Sequence, residues 1–188
     1  MNFKLLEKKV RDFVENECKK PSSNYGYDPF VFHFVPVVKY AQKLADKFEA
    51  DKEIITIAAW FHDIGSIMCG RENHHITGAK IAEEKLKELG YPQDKIDQIK
   101  NCIISHRGSQ KIKTNTIEAQ ILAEADTLSA FNDMTGLYQC AFFYEKLSRA
   151  EAKKSVKQKL KNKWNQLRLK GSKKIIEPQY RAAMLLLK

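Results

Sequence analysis

Apolar residues recur along this chain at three- and four-residue steps, and no β-branched run alternates with polar residues over a strand's length. A segment with that period buries one face only if it forms a helix. Phe3 to Lys19 carries Leu6, Val10, Phe13 and Val14 at this spacing and stops before PSSNYGYDP, where Pro21, Gly26 and Asp28-Pro29 mark a loop. Pro36 fits only the first turn of a helix, which predicts a start near Phe32 or His33. Asp51 reads as the N-cap of DKEIITIAAWFHDIG, with Ile54, Ile57, Ala58 and Phe61 inward, His62 and Asp63 in the last turn and Gly65 as the stop. Further helices are expected from His75 to Leu89 and over PQDKIDQIKNCIISHRG, ending near Gly108. Others follow over TNTIEAQILAEADTLSAF, the aromatic-rich LYQCAFFYEKL, the basic segment beyond it and a terminal stretch from Tyr180 to Leu187. The expected class is all-α, with residues 1–188 forming one domain, since a chain of 188 residues suits a single core.

No stretch reaches the roughly 18 to 20 consecutive apolar residues of a membrane span, and the N-terminal residues lack the apolar centre of a signal peptide. The expectation is a cytoplasmic protein with no membrane partner. Cys18, Cys69, Cys102 and Cys140 form no CxxC pair, so they are read as reduced and mostly buried. The formal charge of +10 is concentrated: between Ala152 and Ile176 stand ten Lys or Arg and no acid. The plain expectation for that segment is a solvated helix face over a buried stripe of Val156, Leu160, Trp164 and Leu167. Nucleic acid or another phosphate-bearing partner is the alternative.

Polar residues of one chemical kind stand on these apolar helices or at their ends: His33, His62, Asp63, His74, His75, His106 and Asp126. Each alone fits a capping or core role. Several carboxylates and imidazoles on different apolar helices are better explained if they meet a shared cation, because an uncompensated buried carboxylate is costly. The order His33, then WFHDIG, then Asp126 within EAQILAEADTLSAF resembles the H…HD…D pattern of the HD superfamily of metal-dependent phosphohydrolases, over roughly residues 28–135.

That resemblance implies a helical bundle of the HD type in which His33, His62, Asp63 and Asp126 bind one divalent metal ion. HHITGA at 74–79 and the IISHRG block are similar to places where HD proteins put further histidines, which adds His74 and His106 to the metal set and allows a second ion. The block often written DADxLD is EADTLS here, with Glu124 and Ser129 in place of aspartates. No ED pair follows HDIG directly, which argues against the guanosine polyphosphate hydrolases of the superfamily.

The mixed nitrogen and oxygen donor set suits Mn, Fe, Co, Ni or Zn without selecting among them. An ion there would activate water for hydrolysis of a small phosphorylated compound, with a nucleotide the leading substrate. Since Asp63 and Asp126 offset the charge of one divalent ion, other groups must hold the phosphate. Arg71, Lys80 and Arg107 flank the histidine motifs and are assigned to the substrate, together with His75. Glu72 is the candidate general base, against the plainer role of a first-turn helix acid. Tyr25, Tyr27, Phe30, Phe32 and Phe34 are expected chiefly to anchor the loop before His33, or else to line a pocket for a flat group. Two other readings are a di-iron oxygenase of the same superfamily and a non-catalytic protein that binds a nucleotide or nucleic acid.

Overall fold

The computed structural model describes residues 2–106 and 115–188, so Arg107 and the helix end expected near Gly108 lie outside it. All regular structure among the described residues is helical, and none of these helices is long and apolar enough to cross a membrane. The succession is α1 (Phe3–Lys19), a π-helical turn (Phe30–Phe34), α2 (Val35–Phe48), α3 (Lys52–Phe61), α4 (Ile64–Cys69), α5 (His74–Glu88) and α6 (Gln93–Ser105). It continues with α7 (Ile117–Ser129), α8 (Met134–Gln139), a second π-helical turn (Cys140–Tyr144), α9 (Arg149–Gln166) and α10 (Ser172–Leu186).

Helix α3 is the centre of the bundle. Residues Ile54 to Phe61 are all buried on it, and α1, α2, α5, α6 and α7 pack around it. Asp51 caps it as its sequence suggests, accepting from the backbone N–H groups of Glu53 and Ile54 at 2.9 and 3.0 Å. Thr116 caps α7 through the N–H of Ala119, and Ser148 with Glu151 forms a capping box on α9. On α9 the expected stripe is present: Val156, Leu160 and Leu167 are buried, and Trp164, partly buried, stacks on Tyr180 of α10 at 4.2 Å. Helix α10 starts eight residues before the expected position and runs through Pro178. Of the cysteines, Cys18 and Cys102 are buried, whereas Cys140 is partly open and Cys69 exposed.

Two further departures from the sequence reading shape the site. The helix expected to contain His62 and Asp63 in its last turn instead ends at Phe61, and a new helix starts at Ile64. Successive residues of an unbroken helix point about 100° apart; with Asp63 at φ −112° and ψ 11°, the two neighbouring side chains converge. Gly65 is therefore not a stop. It lies inside α4 against α5, so close that a Cβ would collide with the His74 carbonyl oxygen and sit 2.7 Å from the Gly78 nitrogen. The other departure is at Pro36, which cannot donate to the carbonyl four residues back. The chain enters α2 through a π-helical turn closed by the Val35 N–H on the Phe30 carbonyl, and His33 projects from that turn.

Candidate metal centre

Five elements deliver the polar residues to one point. His33 comes from the π-helical turn before α2, His62 and Asp63 from the α3–α4 junction, His74 from the first residue of α5, His106 from the end of α6 and Asp126 from α7. Asn73, just before α5, has a left-handed backbone at φ 52°, a conformation that asparagine tolerates better than most residues.

Each of the four imidazoles is fixed through Nδ1. His62 donates to the Ala59 carbonyl at 2.7 Å, His74 to that of Arg71 at 2.9 Å and His106 to that of Ile103 at 2.5 Å. Ser129 commits its hydroxyl hydrogen to the Asp126 carbonyl at 2.8 Å, so its oxygen accepts from His33 Nδ1 at 3.2 Å. With Nδ1–H engaged, the lone pair is left on Nε2 in every case. All four Nε2 atoms face Asp63. His33 and His62 lie 3.3 and 3.7 Å from Oδ2, while His74 and His106 lie 3.2 and 3.6 Å from Oδ1. Asp126 Oδ1 is 3.6 Å from His33 Nε2.

This donor set fits a divalent transition metal. His33 Nε2 and His62 Nε2 approach to 2.9 Å with both Nδ1 hydrogens spent elsewhere, so two nitrogen lone pairs converge, a juxtaposition that a shared proton or a cation relieves. Two overlapping ligand groups result, one of His33, His62 and Asp63 and the other of Asp63, His74 and His106.

The electrostatics follow from this crowding. Burial alone would raise the Asp63 carboxyl, but His62, His106 and His33 outweigh it and hold it well below the usual carboxylate range. Burial drives His62 down to about 4, with His33 and His106 pushing the same way against the attraction of Asp63. His33 and His106 are also disfavoured as cations by burial, yet hydrogen bonding to Asp63 wins and both are raised. Burial likewise pushes Asp126 up, and Lys163, His33 and His62 bring it below its ordinary value.

The cluster forms the floor of a cleft of about 630 Å³, a size typical of small-molecule sites. Tyr25, Phe32 and Tyr144 contribute aromatic surface to it, with Tyr25 edge-on to Tyr144 at 4.9 Å. Tyr27 and Phe30 take the anchoring role instead, Phe30 stacking on both Tyr27 and Trp60.

Of the residues assigned to substrate, Arg71 lines the cleft. His75 and Lys80 do not, for geometric reasons. His75 is about 100° around α5 from His74, which buries it edge-on to that ring rather than in the cleft. Lys80 lies six residues into α5, where it is exposed and faces Glu84 at 3.9 Å. Glu72 is exposed in the turn before α5 and is not among the residues that line the cleft.

Three residues acquire roles that their motifs did not reveal. Ser129 orients His33, as described. Glu124, buried, accepts the backbone N–H groups of Arg168 and Leu169 at 3.0 Å each and thereby ties the segment after α9 to α7. Lys163, from the basic segment, reaches into the cleft with Nζ 3.6 Å from Asp126 Oδ2. The four-residue spacing of Lys159 and Lys163 was the available signal, but a run of lysines on a solvated helix shows the same spacing.

A helical bundle with imidazoles and carboxylates gathered at a cleft floor, able to hold a divalent ion, is an architecture of the HD type. Residues 30–130 match the HD domain family, and the chain belongs to it. It is 34% identical over 101 residues to an uncharacterized protein of Clostridium beijerinckii, covering 52% of this chain and 62% of that one. It is 27% identical over 172 residues to a tRNA (cytidine(56)-2'-O)-methyltransferase of Picrophilus torridus, covering 84% of this chain and 48% of that one. The chain thus spans about half to three fifths of the length of these curated relatives. Among solved structures, it resembles YpgQ of Bacillus subtilis, crystallised with ADP, with a TM-score of 0.72, 17% identity and coverage of 99% and 93% of the two chains. An HD-superfamily hydrolase from Bacillus thuringiensis gives a TM-score of 0.74 at 18% identity, with coverage of 99% and 95%.

Proposed function

We propose that this protein is a metal-dependent phosphohydrolase acting on a nucleotide. The observation that carries the reading is the convergence of four Nε2 atoms on the two oxygens of Asp63 at the floor of a ligand-sized cleft. His33, His62, Asp63 and Asp126 would hold a divalent ion. Bound there, the ion would supply a water whose pKa falls from about 15.7 towards about 7 and would polarise a phosphoryl oxygen.

The chain's own groups do the rest. The backbone carbonyls of Ala59, Arg71 and Ile103 and the Ser129 hydroxyl keep each ring in one orientation and one tautomer. Tyr25, Phe32 and Tyr144 offer flat apolar surface for a base. The ADP bound in YpgQ supports the nucleotide part of the reading.

A second reading concerns ion number. Asp63 turns Oδ2 towards His33 and His62 and Oδ1 towards His74 and His106, so His33, His62 and Asp63 would hold one ion and Asp63, His74 and His106 could hold a second. Metal analysis of the purified protein, with a panel of phosphate monoesters, diesters and nucleotides run beside Asp63→Ala, tests both. We expect metal-dependent turnover that Asp63→Ala reduces by about a thousandfold or more. Two irons with oxygen consumption and no phosphate released would overturn the hydrolase reading in favour of an oxygenase.

A further inference from the structure

Helix α9 has two inward faces. Ala152, Val156 and Leu160 bury one against the core. Lys159, Asn162, Lys163 and Gln166 line the cleft from the other, at the i, i+3, i+4 and i+7 positions of a single helical stripe. Every one of these side chains can donate hydrogen bonds, and none is acidic. The stripe extends for about 10 Å along the helix axis, so it runs well beyond the reach of one phosphate at the metal centre.

The state of the two lysines is informative. Lys159 is ion-paired with Glu145 and only 30% exposed. Lys163, 25% exposed, lies 3.6 Å from Asp126 Oδ2, which is an ion pair but too long for a hydrogen bond. Among the described residues, no hydrogen bond engages its three donors. A partly buried lysine that lines a cleft and makes no hydrogen bond among the described residues is suited to an anionic ligand.

The charge balance of the cleft agrees. Asp63 and Asp126 would offset one divalent ion, Asp133 is occupied in capping α8 through the Gly136 N–H at 2.7 Å, and Asp28, the remaining acid of the lining, is exposed to solvent. Positive charge for a polyanion must then come from Lys163 on α9 and Arg71 before α5, with Lys159 contributing as far as a phosphate displaces Glu145 from it.

We infer that the polar stripe of α9 selects substrates carrying two or more phosphates in series, with Lys163 holding the phosphate next to the one at the metal centre and Lys159 the next beyond. This rests on the phosphohydrolase reading and adds to it a substrate class and specificity-determining residues.

The test compares wild type, Lys163→Gln and Lys163→Arg, all metal-loaded. Steady-state kinetics on a nucleoside mono-, di- and triphosphate are measured together with calorimetric binding of inorganic pyrophosphate and the metal content. In Lys163→Gln we expect pyrophosphate affinity to fall by about tenfold to a hundredfold, as befits a lost charged hydrogen bond. KM for the di- and triphosphates should rise similarly, with metal content and the monophosphate KM within about twofold of wild type. Lys163→Arg should restore most of the affinity.

Equal effects on all three nucleotides would overturn the inference, as would loss of metal from Lys163→Gln, because Lys163 would then act only on Asp126. The two proposals fail separately. A wild-type protein that hydrolyses nothing yet binds pyrophosphate through Lys163 retains the cation stripe and loses the hydrolase reading. Brisk hydrolysis with an unchanged KM in Lys163→Gln does the reverse.

Discussion

Replacing Gly65 with alanine should disturb both stability and the metal centre, by an amount that can be worked from the α4–α5 contact. The added Cβ would stand 2.7 Å from the Gly78 nitrogen and 2.5 Å from Thr77 Oγ1, and would collide with the His74 carbonyl oxygen. Ordinary contacts to a carbon lie near 3.5–4.0 Å, so α5 must retreat by about 1 Å. Thr77 can rotate away, whereas the other two obstacles are backbone and can move only with their helix. Overpacking of this kind costs about 1–3 kcal/mol, occasionally more, and exchanging a helical glycine for alanine offsets about 0.5–1 kcal/mol of it. A net loss of about 1–2 kcal/mol follows, equivalent to about 2–8 °C in Tm for a chain of this size. Gly78→Ala is the control, since its Cβ would meet the Gly65 nitrogen at 3.3 Å and the Phe61 and His62 carbonyls at 3.5 and 3.6 Å. It should stay within about 1 kcal/mol of wild type. Urea unfolding of the metal-free proteins measures both, and metal titration should show Gly65→Ala weakened because His74 moves with α5 away from Asp63. If Gly65→Ala proved as stable as Gly78→Ala, the close helix contact and the reason given for that glycine would both be wrong.

Other consequences are as direct. Ser129→Ala removes the acceptor that fixes His33 Nδ1, so metal affinity measured by competition with a chelator should fall by about tenfold to a hundredfold while the fold is kept. Glu124→Ala leaves the Arg168 and Leu169 N–H groups without their carboxylate; a loss of about 1–3 kcal/mol is expected in denaturant unfolding, with faster amide exchange at those two positions. Metal uptake should release protons, because His33 and His106 are raised by Asp63 and must be deprotonated to act as ligands. Affinity should therefore strengthen as pH rises through the range below the raised values of these two rings, by up to about tenfold per pH unit for each proton displaced, and level off above them, as followed by calorimetry in buffers of different ionisation enthalpy. An affinity independent of pH across that range would contradict the assignment of these histidines as ligands.

Local sequence chemistry was sufficient for much of this protein. Three- and four-residue apolar spacing, the cap at Asp51 and Pro36 confined to a first turn are interactions within a few residues, so they determine helices wherever the segment is placed. The order of His33, His62-Asp63 and Asp126 carried the family for the same reason: a motif is a property of the chain.

The fold alone decided which side chains meet. A helix rule puts His62 and Asp63 about 100° apart, and only the break at the α3–α4 junction, packed under α5, makes them converge. His74 and His75 are neighbours in sequence, yet the docking of α5 sends one to Asp63 and buries the other. The ten basic residues of the 152–176 segment look alike in sequence, and only the seating of α9 against the cleft separates Lys159 and Lys163 from those left in solvent. Periodicity specifies a face to be buried, whereas the identity of the partner depends on contacts between residues far apart in the chain.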